Sequence, residues 1–200
     1  MKRIITVLLL LCFINQAFCQ VNNQGLIIGY NSSWFTGTTE SGSEGVPIPG
    51  ISLGYHFDIL SSDILDLETG IGLTTKGQRM SSIGDIYVRN IFIYLEIPAY
   101  AKKVFCEGRK IRPFLIAGPS LNANILSLNF TGFIDDIRKF DVCLHSGIGI
   151  KTKHISLRAR YVRGLLNFDI SDYDNTLKNS TISIEFGFSF GNSTKKSISN

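Results

Sequence analysis

Between positions 181 and 190 the chain alternates without a break: Ile182, Ile184, Phe186, Phe188 and Phe190 fall on one face, and Thr181, Ser183, Glu185, Gly187 and Ser189 on the other. Period two marks a strand with two unlike faces. The same rule sets Ile51, Leu53, Tyr55, Phe57 and Ile59 against Ser52, Gly54, His56 and Asp58, and Leu65, Leu67, Ile71 and Leu73 against Asp66, Glu68, Gly70 and Gly72. It recurs where Phe140, Val142, Leu144, Ile148 and Ile150 alternate with Asp141, Cys143, His145, Gly147, Gly149 and Lys151, and where Ile155, Leu157, Ala159 and Tyr161 alternate with Ser156, Arg158 and Arg160. Three less regular segments, 25–35, 87–105 and 111–126, complete a predicted set of eight strands.

The segments between these strands alternate in length. Positions 36–48, 77–86, 127–138 and 167–179 form long connections, and 60–63, 106–110 and 152–153 short ones. An up-and-down barrel of an outer membrane has short periplasmic turns and longer outer loops. This order therefore places both termini in the periplasm. Most of the segments are ten residues or longer, which suits a tilted membrane-spanning strand of ~9–11 residues better than a soluble strand of ~5–6.

Charge decides which face is inside. The polar faces carry Asp58, Asp66, Glu68, Glu96, Asp141 and Glu185 against Lys76, Lys151, Arg158 and Arg160. In a soluble core each unpaired charge would cost several kcal/mol. Across the lumen of a closed barrel, opposite charges can pair while the apolar faces meet lipid, and closure leaves no unsatisfied sheet edge. Glycines on the polar faces, among them Gly29, Gly54, Gly70, Gly72, Gly147, Gly149 and Gly187, make room for the larger charged side chains. Trp34, Tyr87, Tyr161 and Phe190 fall near strand ends, where aromatic girdles sit. The expected fold is an all-β, eight-stranded antiparallel up-and-down transmembrane β-barrel. A secreted lipocalin-like barrel is the soluble alternative, and it requires an apolar interior.

Several segments carry a family resemblance. GLIIGYNSSWF, ETGIGLTTKGQRM, YLEIPAYAKKVF with its Leu-Glu-Ile-Pro core, RPFLIAGPSLNANI, SLRARYVRGLLNF and TISIEFGFSF together resemble the PorT-like outer membrane protein β-barrel domain of Bacteroidetes-type bacteria. The resemblance covers nearly all of the mature chain, and the YLEIP and KG segments are its most specific parts. It implies an integral outer-membrane barrel. It implies little about activity, since some members assist protein secretion and most have no assigned role. Ten residues, Gly191 to Asn200, follow Phe190, whereas such barrels commonly end on the terminal aromatic.

The N-terminus reads as a signal peptide: Lys2 and Arg3, then an apolar run from Ile4 to Phe13, then a more polar stretch to Cys19. Cleavage after Cys19 leaves Ala17 at the −3 position and Gln20 as the new terminus. Lipidation of Cys19 is the competing reading, with Phe18 a poor neighbour for it. The expected organisation is 1–19 signal peptide, 20–190 barrel and 191–200 C-terminal tail. Loss of Lys2 and Arg3 lowers the net charge from +4 to +2, which leaves no basis for nucleic-acid binding. Of four cysteines only Cys106 and Cys143 remain in the mature chain. The strand order sets them toward opposite ends of the barrel, beyond disulfide reach.

Candidate chemistry is sparse. His56, His145 and His154 stand in no metal-ligand spacing. His145 beside Ser146 could suggest a hydrolase, but neighbouring strand residues point to opposite faces. No glycine-rich phosphate loop precedes a helix. No catalytic residue, metal or cofactor is therefore expected. The candidate site is a lumenal charge network of Asp58, Asp66, Glu68, Glu96, Arg158, Arg160 and Glu185. An eight-stranded barrel is only wide enough to be filled by its own side chains, which makes this network a plug rather than a filter. The expected role is structural or interactive, with outer-membrane lipid, the barrel-assembly machinery and a protein bound through the long loops as partners. The alternative is a narrow small-solute pore. The long loops carry Phe130, Phe133, Asp135 and Asp136 in one case, and Asp169, Asp172, Tyr173 and Asp174 in the other.

Overall fold

The computed structural model of the chain describes residues 23–38, 46–62, 64–81, 87–106, 108–129, 138–167 and 176–190. The expected signal peptide, the C-terminal tail and the tips of the long loops lie outside them. Eight strands follow one another: β1 (Gln24–Thr38), β2 (Val46–Ser61), β3 (Asp66–Ser81), β4 (Tyr87–Val104), β5 (Arg112–Asn129), β6 (Phe140–Lys151), β7 (Ile155–Gly164) and β8 (Thr176–Ser189). Each pairs antiparallel with its sequence neighbours, and β1 pairs with β8 to close the barrel.

The alternation of the sequence is an alternation of environment. Ile184 and Phe186 expose 56% and 46% of their surface, while Glu185 between them exposes 1%. Leu26, Ile28, Tyr30, Ile51, Leu53, Ile71, Ile148 and Ile150 are likewise exposed, and Asn31, Ser33, Glu68, Glu96 and Arg158 are buried. A protein with its apolar side chains outward and its charges inward is built for hydrocarbon around it. The polar interior sets aside the lipocalin-like alternative. Among the described residues no helix is long and apolar enough to cross a membrane. Even the shortest strand, β7, has 10 residues, enough to cross as a tilted strand.

Strands run further than hydropathy predicted. β1 and β8 stay paired to Thr38↔Thr176, and β3 and β4 to Ser81↔Tyr87. The predicted connection at 77–86 thus shrinks to 82–86, because backbone hydrogen bonds do not require an apolar face to continue. The short connections, 62–65, 105–111 and 152–154, lie at one end together with the first and last described residues, where Gly25 pairs with Ser189. The longer ones lie at the other end. Register shifts between Pro47 and Ser52, between Asp58 and Leu60, and between Ile93 and Tyr94 break the alternation locally.

Inside, apolar layers bracket a charged middle. Val104, Phe114 and Ile116 pack beneath Tyr100 toward the short-turn end, and Phe35, Phe92, Tyr94 and Leu177 cluster toward the long-loop end. Near the second cluster β1 and β3 reach each other over the inner face of β2, where the β2–β3 register is broken between Pro47 and Ser52. Asn31 Nδ2 donates to Thr74 Oγ1 at 3.1 Å, Gly77 N donates to Ser33 Oγ at 2.8 Å, and Phe35 N donates to Gln78 Oε1 at 3.2 Å.

Candidate functional site: the lumenal charge chain

Six of the seven network residues expected from sequence meet in the lumen, and a seventh charge completes them. On β2, β3 and β4, Lys102 Nζ lies 2.5 Å from Asp58 Oδ1 and 2.9 Å from Glu68 Oε2. The other oxygen of Glu68 accepts from Arg158 Nη1 of β7 at 2.9 Å. Arg158 Nε in turn donates to Glu185 of β8, and Arg160 Nη2 reaches the second Glu185 oxygen at 2.7 Å. Arg160 Nη1 ends the series on Glu96 Oε1 at 2.7 Å. Asp58, Lys102, Glu68, Arg158, Glu185, Arg160 and Glu96 therefore form one chain of alternating sign drawn from five strands.

Each cation in this chain touches two carboxylates. That matters because desolvating a charge is repaid only when partners and hydrogen bonds are near-complete. Further bonds come from Asn23 Nδ2 to Asp58 at 3.1 Å and from Ser183 Oγ to Glu185 at 3.1 Å. The Tyr100 ring lies 5.9 Å from both guanidinium carbons. Asp66 stays outside the chain: half-buried at the start of β3, it accepts from Ser61 Oγ at 2.6 Å.

Local sequence explains why the charges fit. Arg158 pairs with Gly149, Arg160 with Gly147, Glu185 with Gly29 and Glu96 with Gly72. Beside each of these long inward side chains the adjoining strand offers none. A Cβ on Gly29 would come within 2.5 Å of Ser52 Oγ and 2.6 Å of Glu185 Cγ.

Lys102 was not among the sequence candidates, although its parity with Glu96 points it inward. A second polar group was also missed. Tyr100 OH lies 3.0 Å from His145 Nδ1, and Ser120 Oγ lies 2.6 Å from His145 Nε2. Asn122 Nδ2 donates to Ser120 at 2.7 Å, and Lys76 Nζ reaches Asn122 Oδ1 at 3.3 Å and Cys143 Sγ at 3.7 Å. Lys76 also sits 5.0 Å from the centre of the Tyr94 ring. Only parity could have flagged these residues, since their partners are distant in sequence.

Arg160 Nη1 is 3.1 Å from His145 Nδ1. The two hydrogens of Nη1 already meet Glu96 Oε1 and the Tyr100 hydroxyl, so this approach sets a positive charge beside the ring without fixing its tautomer. That charge opposes the imidazolium that a proton taken from the serine would create. Ser146, the sequence neighbour of His145, is exposed on the outer wall while the histidine is buried inside. Among the described residues no group of three or more His, Cys, Asp or Glu is placed to hold a metal. Cys106, exposed, and Cys143, buried, are both free thiols.

The space left beside the charge chain is small. A cavity of about 40 Å³ is lined by Ser52, His56, Glu68, Glu96, Arg158 and Arg160, among others. Ser52 Oγ, His56 Nδ1 and Glu96 Oε2 lack protein hydrogen-bond partners. Their chemistry suits water, and the volume admits roughly three molecules.

A model of the outer membrane protein β-barrel domain family matches residues 21–169. A search of curated proteins finds no match. Among solved structures, the chain is similar to the attachment invasion locus protein Ail of Yersinia pestis, in complex with the heparin analogue sucrose octasulfate (15% identity, 85% of this chain and 99% of that one covered, TM-score 0.46). It is similar to the outer membrane enzyme PagL (13% identity, 80% and 97% covered, TM-score 0.49) and to Neisserial surface protein A (16% identity, 82% and 97% covered, TM-score 0.47). At this level of similarity none of their activities carries over.

Proposed function

Since the chain belongs to the outer membrane protein β-barrel domain family, we propose that it is a sealed barrel with a structural or interaction role, conducting no solute, catalysing no reaction and presenting its long-loop end outside the cell. Its location is the outer membrane. The short-turn end, with both chain ends, faces the periplasm, following the general arrangement of such barrels. Within the family, the YLEIP and KG segments favour the PorT-like branch.

The observation that carries this reading is the filled lumen. The charge chain crosses the middle, apolar layers lie on both sides of it, and β1 and β3 bond to each other over the inner face of β2 toward the long-loop end. A pore would need a continuous aqueous path, whereas the space beside the charges is of water-cluster size. A silent lumen leaves two working surfaces: the lipid-facing wall and the long-loop end. The partners are outer-membrane lipid, the assembly machinery that inserts the barrel, and a protein engaged by the loops. The aromatic and acidic residues of 127–138 and 167–180 are the natural contact points.

Two measurements test this together. Extracted protein run on gels with and without boiling should show heat-dependent mobility, and the same material in planar bilayers should give no discrete conductance steps. Stepwise conductance would make the chain a narrow pore instead.

A further inference from the structure

On β7 the alternation that buries Val162 and Gly164 turns Tyr161 and Arg163 outward. Tyr161 pairs with Ile182, which pairs with Ser32, and toward β8 and β1 the aliphatic wall ends at this row, while on β6 it continues beside Arg163 from Leu144 to Phe140. One step outward, Arg163 pairs with Ser180, which pairs with Trp34. A cation therefore stands at the edge of the lipid-facing wall toward the long-loop end, beside a tryptophan of the kind found at membrane interfaces.

Arg163 is fixed in place. Its Nη1 donates to Thr36 Oγ1 and, at 2.6 Å, to Ser180 Oγ; Thr36 Oγ1 donates onward to the Lys178 carbonyl at 3.2 Å. Lys178 pairs with Thr36, shares the parity of Ile182 and is half-buried, while Ser180 of the same parity is buried. Neither cation forms an ion pair with a described residue, whereas Lys102, Arg158 and Arg160 inside each touch two carboxylates. Neutral hydroxyls orient a guanidinium without cancelling its charge. Both bonds use Nη1, and among the described residues Nε and Nη2, the edge that suits a bidentate anion, have no hydrogen-bond partner.

We propose that Arg163 and Lys178, braced by Thr36 and Ser180, form a seat for the phosphate of an outer-leaflet glycolipid whose acyl chains lie along Tyr161, Ile182 and Ile184. The proposal rests on the membrane orientation given above and adds a headgroup chemistry to it. Phosphate is the recognised group, and its source is lipid because the cations sit where an apolar wall ends.

The test uses the full chain in phosphatidylcholine nanodiscs doped with diphosphorylated lipid A or with the same lipid dephosphorylated, read by native mass spectrometry. Wild type should retain the phosphorylated lipid preferentially, and Arg163→Gln and Lys178→Gln should each reduce that retention roughly tenfold. Arg163→Lys, which keeps the charge but loses the fork, should retain an intermediate amount. Equal retention of the two lipids, or unchanged retention by the Arg163→Gln/Lys178→Gln double variant, overturns the proposal. Displacement by millimolar inorganic phosphate would reassign the seat to the free anion and overturn the lipid source. Heat-dependent gel mobility of every sample separates the two readings: its absence in wild type sinks the membrane barrel, while lost discrimination with mobility intact sinks only the lipid seat.

Discussion

His145 Nε2 stands 2.6 Å from the Ser120 hydroxyl, at the distance of a nucleophile and its base, yet in surroundings set against that use. Arg160 Nη1, 3.1 Å from the other ring nitrogen, opposes the positive charge the imidazole would gain by taking the serine's proton. A fluorophosphonate probe should therefore leave the folded protein unlabelled in micelles. Labelling that vanishes in Ser120→Ala would establish a catalytic serine and remove the non-enzymatic reading.

Glu185, like Glu68, joins two cations of the charge chain, and it alone holds both Arg158 and Arg160. Glu185→Ala leaves two buried guanidiniums short of a partner and should destabilise the barrel by about 3–5 kcal/mol. Glu185→Gln keeps an acceptor oxygen and should cost less. Urea unfolding in micelles, followed by loss of the unboiled gel form, would measure both. An unchanged midpoint for Glu185→Ala would mean that the chain contributes nothing to stability.

Gly29→Ala should destabilise by about 1–3 kcal/mol, since the new methyl collides with Ser52 and Glu185. Trimming the neighbour in Gly29→Ala/Ser52→Gly should recover part of the loss. No recovery would place the strain on the glutamate alone.

Orientation can be read from the two thiols. Cys106 is exposed in the connection between β4 and β5, and Cys143 is fully buried. A membrane-impermeant maleimide should spare intact cells, label Cys106 once the outer membrane is permeabilised, and reach Cys143 only after unfolding. Labelling of Cys106 on intact cells would turn the barrel upside down.

Period two gave five of the eight strands cleanly and turned the molecule inside out, while β1, β4 and β5 follow the rule less regularly in the sequence. The charged members of the chain followed from the same parity, but height along the barrel did not. Asp66 has the parity of Glu68 and yet sits at the strand's start, bonded to Ser61. Lys102 sits beside Lys103, and a doubled cation hides which of the two points inward until the register from Glu96 is carried through Pro98. Tyr100, Ser120 and His145 meet on the inner face of the consecutive strands β4, β5 and β6, a relation set by the register between strands that no local window contains. Strand ends were misjudged where Thr36, Thr38 and Lys178 continue the ladder with polar side chains, since the backbone pairs regardless of hydropathy.

The seam between β1 and β8 runs from Gly25↔Ser189 to Thr38↔Thr176. The first described strand is thus zipped to the last, and without β8 the sheet would have an unpaired edge on β1 and another on β7. A chain truncated anywhere within β8 loses rungs from both of its neighbours at once. An open edge within hydrocarbon leaves backbone groups with no partner, so the fourteen-residue β8 is what allows the other seven strands to reside in a membrane at all.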